Sequence, residues 1–158
     1  MRIVFYSTNS NIFSEETFKI SVMPQNTESF QDFCKAHPED EFFCLTQKPG
    51  MYMPESAVPQ IHCLPQNTDT ESFADYIINL KPDLAIAMTF WIEPYDWLPV
   101  SDALVAEKLR EHGVRTFCHS VNCSLTCFDK WRFHNEMARL GFDVSPAVFC
   151  DHDLYFCA

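Results

Sequence analysis

Glycine is nearly missing from this chain, with three in 158 residues, at positions 50, 113 and 141. A dinucleotide fingerprint needs glycines where the backbone closes on a pyrophosphate, and a P-loop needs them around its phosphate-cradling turn. Too few are present to build either, so a nicotinamide dehydrogenase is disfavoured. Positive charge is also short: 11 Lys and Arg stand against 22 Asp and Glu, for a net charge of −11. Such a surface repels phosphodiester backbones and anionic lipid, and no local basic patch offsets it. Neither nucleic acid nor membrane is expected as a partner. No apolar run approaches the roughly 20 residues of a membrane span, and no charged segment leading into an apolar stretch follows Met1. The expectation is a soluble, cytoplasmic protein. No serine sits on a nucleophile elbow and no H-x-x-x-H pair occurs. His112, His119 and His134 fall on or beside helix and strand ends, where histidine is ordinarily a surface residue.

What is present is a 47% apolar composition over one domain's length, enough for a single substantial core. Eight cysteines, at 34, 44, 63, 118, 123, 127, 150 and 157, are the exception to an otherwise ordinary content. Several lie in apolar runs such as EFFCLT and IHCLP, which reads as reduced, buried thiols rather than a disulfide framework. Cys118, His119, Cys123 and Cys127 are the one dense group of soft ligands, but they lack the paired C-x-x-C knuckles of structural zinc sites, and no metal is assigned.

Apolar runs bounded by turn residues alternate with amphipathic windows, the pattern of βα units around a parallel sheet. RIVFYS is the first strand. A helix around 28–36 ends at His37-Pro38, EFFCLT and IHCLP are strands, and Thr68 with Glu71 reads as a capping box for a helix through Leu80. DLAIAMTF, apolar at nearly every position, reads as a central strand covered on both faces. Ser101 is the expected cap of ALVAEKLREHG, which stops at Gly113; VRTFCHS is a further strand. The last helix opens at Asp129-Lys130, carries Phe133, Met137 and Leu140 on one face, and closes at Gly141, with a turn at Pro146 into another strand. The expected fold is α/β, a Rossmann-like three-layer sandwich with a mainly parallel sheet. The similar segments MPQNTESFQDF and LPQNTDTESFADYI share helix-start chemistry and carry no function.

Ligands of open parallel sheets bind outside the carboxyl ends of the strands. Three loops qualify: TNSNIFSEE, FWIEPYDW and HSVNCS. In the first, Ser7, Thr8, Asn9 and Ser10 offer hydrogen bonds to a polar ligand, and Glu15 or Glu16 a partner for an ammonium. In the second, Trp91, Tyr95 and Trp97 stand beside Glu93 and Asp96, suited to an aromatic lid or to packing.

The stretch SLTCFDKWRFHNEMARLGFDVSP resembles the junction of ATP-grasp ligases, where an Asp-Lys helix followed by Gly and Pro leads into the catalytic half. MRIVFYS, KPDLAIAM and ALVAEKLREHGVRTFCHS fit the layout of that family's pre-ATP-grasp domain. The resemblance implies a Rossmann-like pre-ATP-grasp domain over residues 1–124, with the Asp-Lys helix and a linker over 125–158. It also implies that the chain is the amino-terminal portion of a longer ligase. Such a ligase activates a carboxylate as an acyl phosphate and joins it to an amine or thiol. The implied cofactors are ATP and Mg2+ in the full-length parent, with none bound by this portion alone. The implied partners are the downstream catalytic half and small carboxylate and amine substrates, and a homodimer stays open. Lys130 matches the family lysine that reaches nucleotide phosphate, while Ser7, Thr8, Asn9, Glu15 and Glu93 are the substrate-side candidates. The family's D-alanine ligases carry a glycine pair in the first loop, where this chain has Thr8 and Asn9. Two rival readings remain. MRIVF, FFCLTQKPG and KPDLAIAM resemble the start of folate-dependent formyltransferases, but TFCHS supplies His119 with cysteine where asparagine would be sought. A standalone binding module is the other.

Overall fold

Strand β1 (Arg2–Tyr6) presents apolar side chains on both of its faces because it is the middle strand of a five-stranded sheet. The computed structural model describes residues 1–8, 32–47, 60–65, 67–88 and 98–148. Around β1 lie β2 (Glu41–Gln47) and β3 (Gln60–Leu64) on one side, and β4 (Leu84–Ala87) and β5 (Arg115–Phe117) on the other, in the order β3-β2-β1-β4-β5. Every neighbouring pair is parallel. Tyr6 is level with Leu45 of β2 and Ala87 of β4, so the carboxyl ends of all three strands share one edge of the sheet.

Alternation along the strands sends side chains to two separate cores. On one face Val4 and Tyr6, Phe43 and Leu45, Leu64 and Ala85 pack with Phe73, Ala74 and Ile77 of helix α1 (Thr70–Asn79) and with Val105 and Leu109 of helix α2 (Leu98–Glu111). On the other, Ile3, Phe5, Phe42 and Cys44 pack with Cys34, which comes from a helical segment at 32–36. Helices thus lie on both faces of an all-parallel sheet, the Rossmann-like α/β arrangement. Phe73 is fully buried and its ring meets that of Tyr6 at 6.3 Å. Truncating such a side chain to alanine costs about 3–5 kcal/mol.

At the opposite edge of the sheet, the Arg2 backbone N–H donates to Asp83 Oδ2 at 2.7 Å and the Arg2 Nε–H donates to Glu41 Oε2 at 2.7 Å. The α-amino group of Met1 pairs with Asp40. Lys108 pairs with Glu71 and, at 3.3 Å, with Asp75, tying α2 to α1.

Several local expectations are corrected. The cap of α1 is Asp69, not Thr68: Asp69 accepts from the Ser72 N–H at 2.8 Å and from the Ser72 hydroxyl, whereas Thr68 turns back to the Pro65 carbonyl. Helix α2 starts at Leu98, a turn earlier than the Ser101 cap would place it, with Pro99 in the first turn where a missing N–H is tolerated. Among the described residues of DLAIAMTF the strand is Leu84–Ala87, with Met88 adding one further bond to the Tyr6 carbonyl, and Thr89 and Phe90 lie outside the described residues. HSVNCS is not a loop throughout, since Val121 opens helix α3 (Val121–Phe128).

The chain divides into two compact units, Met1–Val121 and Asn122–Ala158. The second holds most of α3 and all of helix α4 (Lys130–Arg139), which ends before Gly141 in a left-handed conformation (φ +85°) that suits glycine. Residues 142–148 have no regular structure, so the strand expected from Pro146 is not formed as far as Val148. The apolar face of α4 is also not packed away: Phe133 is 43% and Leu140 53% exposed, and no residue of α4 is buried. Among the described residues, no helix is long and apolar enough to cross a membrane.

Candidate functional site

After β3 the chain crosses to the far side of β1 and enters β4, so strand order reverses between β1 and β4. Doubly wound sheets take their ligands at the carboxyl edge beside such a reversal. The backbone there is pinned on both sides of β1: the Ser7 N–H donates to the Leu45 carbonyl at 3.0 Å and the Met88 N–H to the Tyr6 carbonyl at 2.8 Å.

Helix α2 contributes the charged group. Starting at Leu98, it presents residues 102, 105, 106 and 109 to the sheet, and all four are buried. Three are apolar and the fourth is Asp102, 1% exposed. Its Oδ1 accepts from the Thr8 backbone N–H at 2.8 Å and from the Thr8 hydroxyl at 2.6 Å, while its backbone carbonyl accepts from the Tyr6 hydroxyl at 3.0 Å. Cys118, following β5, lies within hydrogen-bonding reach of the same hydroxyl. Arg110 closes the group, its Nε–H donating to the Thr116 hydroxyl at 2.6 Å and its other nitrogen to the Cys118 carbonyl at 2.8 Å. Burial, reinforced by Cys118 and Asp102, holds the Tyr6 hydroxyl well above the usual tyrosine range. Burial and then Asp102 push the Cys118 thiol up as well, so both groups are neutral at physiological pH.

Ser7 and Thr8 therefore sit where the sequence places a ligand loop, but they are buried rather than solvated. The Thr8 N–H, which would have to face an anion in a phosphate-binding turn, is directed at a carboxylate instead. The β1 turn is unsuited to phosphate on that ground. Asn9, Glu15 and Glu93 lie outside the described residues, as does the whole of the aromatic FWIEPYDW loop at 90–97. Asp102 and Tyr6 were missed in the sequence because no local motif marks them. The available signal was an acid heading an apolar stripe at 102, 105, 106 and 109.

The second unit holds Lys130. Asp129 caps α4, its Oδ1 accepting from the Trp131 and Arg132 N–H groups at 2.9 and 3.0 Å. Lys130 is consequently the first residue of the helix, and it is exposed. Arg132 donates to Asn122 Oδ1 at 2.8 Å, Trp131 stacks on His134 with 5.6 Å between centroids, and Arg139 pairs with Glu136. Among the described residues Lys130 enters no comparable contact.

The described cysteines, 34, 44, 63, 118, 123 and 127, are all free thiols. The expectation of general burial is corrected, because Cys63 on the edge strand β3 and Cys123 and Cys127 on α3 are exposed. His37, Glu39 and Asp40 bring ligand atoms within 4.8 Å of one another, but Asp40 is held by the α-amino group of Met1.

No family model matches this chain, and no curated protein matches it. Among solved structures, CobK precorrin-6A reductase is similar with a TM-score of 0.41 and 11% identity. That match covers 75% of this chain and 38% of the reductase chain.

Proposed function

We propose that this chain is the pre-ATP-grasp portion of an ATP-grasp ligase, together with the Asp-Lys helix that leads into the catalytic half. The observation that carries the reading is the division of labour at the start of α4. Asp129 is used as the cap, and Lys130 is left exposed beside the helix N-terminus. A helix N-terminus and an ammonium group both favour phosphate oxygens, so the two support a nucleotide phosphate at the same place. The five-stranded parallel sheet that precedes α4 is of the kind the family places before its catalytic half.

ATP supplies the phosphoryl group that turns a carboxylate into an acyl phosphate, and the incoming amine or thiol then displaces inorganic phosphate. Such chemistry depends on positioning and on neutralising charge. Lys130 fits the part of holding a phosphate oxygen. Mg2+ fits less well: Asp129 spends a carboxylate oxygen on backbone N–H groups, so the metal ligands would come from the catalytic half. The carboxyl edge of the sheet, after β1, would take the substrate side. Exposed apolar side chains in the second unit, including Phe128, Phe133, Leu140 and Phe142, are suited to lie under a further layer of protein.

The test is to express the chain with the coding sequence that follows it and to measure ADP release with pooled carboxylates and amino acids. ADP release that requires both an acid and an amine supports the ligase. Ligand binding without ATP turnover would replace it with a standalone binding module.

A further inference from the structure

We draw no further inference here: the strongest candidate, the His37, Glu39 and Asp40 cluster in the turn leading into β2, is a mainly acidic group whose Asp40 already pairs with the α-amino group of Met1, and nothing else among the described residues points to an ion there.

Discussion

Thr8 and Asp102 are 94 positions apart in sequence, yet the amide and the hydroxyl of Thr8 converge on a single oxygen of Asp102, at 2.8 and 2.6 Å. This contact fastens the end of the central strand to the first half of α2, at the point where strand order reverses.

Removing the carboxylate should therefore be costly. Asp102→Ala leaves two buried donors without their acceptor, and hydrogen bonds to charged groups contribute about 1.5–3 kcal/mol each, so a loss of about 3 kcal/mol is expected. Thr8→Val removes only the hydroxyl's bond and should cost less. Urea denaturation of both variants checks the order. Asp102→Ala at wild-type stability would show that the contact contributes nothing net.

Tyr6 ties β1 to the backbone of the same residue. Tyr6→Phe should cost about 1 kcal/mol at neutral pH, the usual net worth of one hydrogen bond. A distinct signature is expected in alkali. The folded Tyr6 keeps its proton above the ordinary tyrosine pKa of about 10, while the unfolded chain releases it. The stabilisation is fully present below about pH 10 and is lost as pH rises towards the folded value. Thermal melts between pH 9 and about 11 should fall more steeply for the native chain than for Tyr6→Phe, and parallel curves would contradict this assignment.

The cysteines should separate by burial. Burial pushes Cys34 up to about 11 and pushes Cys44 higher still, with Cys34 adding to the effect at Cys44. Neither side chain is accessible in the folded chain. At about pH 8 the reactive species, the thiolate, is scarce at both. Iodoacetamide should label Cys63, Cys123 and Cys127 of the metal-free native protein, and reach Cys34 and Cys44 only after denaturation. Peptide mass spectrometry showing Cys44 labelled under native conditions would refute the packing described for that face.

How far these features were legible in the sequence depended on the range of the interaction behind them. The apolar run DLAIAMTF reflects cover on both faces, and it correctly placed β4 inside the sheet rather than at its edge. The start and stop of α4 were legible because a capping aspartate and a left-handed glycine act within one turn. Helix α3 was hidden because VNCSLTCF mixes β-branched and small side chains with no charged face to set a helical period. Asp102 was missed for a related reason. With Ser101 taken as the cap, Asp102 falls in an exposed first turn, whereas a start at Leu98 moves it to the core stripe. Its partner Thr8 lies in another element, and no local pattern joins the two.

Taken alone, the chain should bind ATP weakly and not hydrolyse it. On the ligase proposal Lys130 is the one residue matched to ATP-grasp phosphate contacts, and a single charge-assisted contact contributes about 1.5–3 kcal/mol, less than the roughly 4 kcal/mol of millimolar affinity. Calorimetry should find no saturation below millimolar ATP, and micromolar binding would require a phosphate site that the present account does not contain.

The central claim is that Asp129 builds the helix start and Lys130 uses it to hold phosphate. The most direct measurement is steady-state ATP kinetics of Lys130→Ala and Asp129→Ala in the chain joined to the catalytic half that the ligase proposal requires, with stability measured in parallel. Lys130→Ala should change stability by less than about 0.5 kcal/mol, as for an exposed side chain without structural partners among the described residues. It should lower kcat/KM for ATP by roughly 10-fold to 150-fold, the equivalent of about 1.5–3 kcal/mol. Asp129→Ala should show the reverse balance, costing about 1 kcal/mol of stability through the lost cap with a smaller kinetic effect. Wild-type ATP kinetics in Lys130→Ala, in an enzyme otherwise active, would contradict the account.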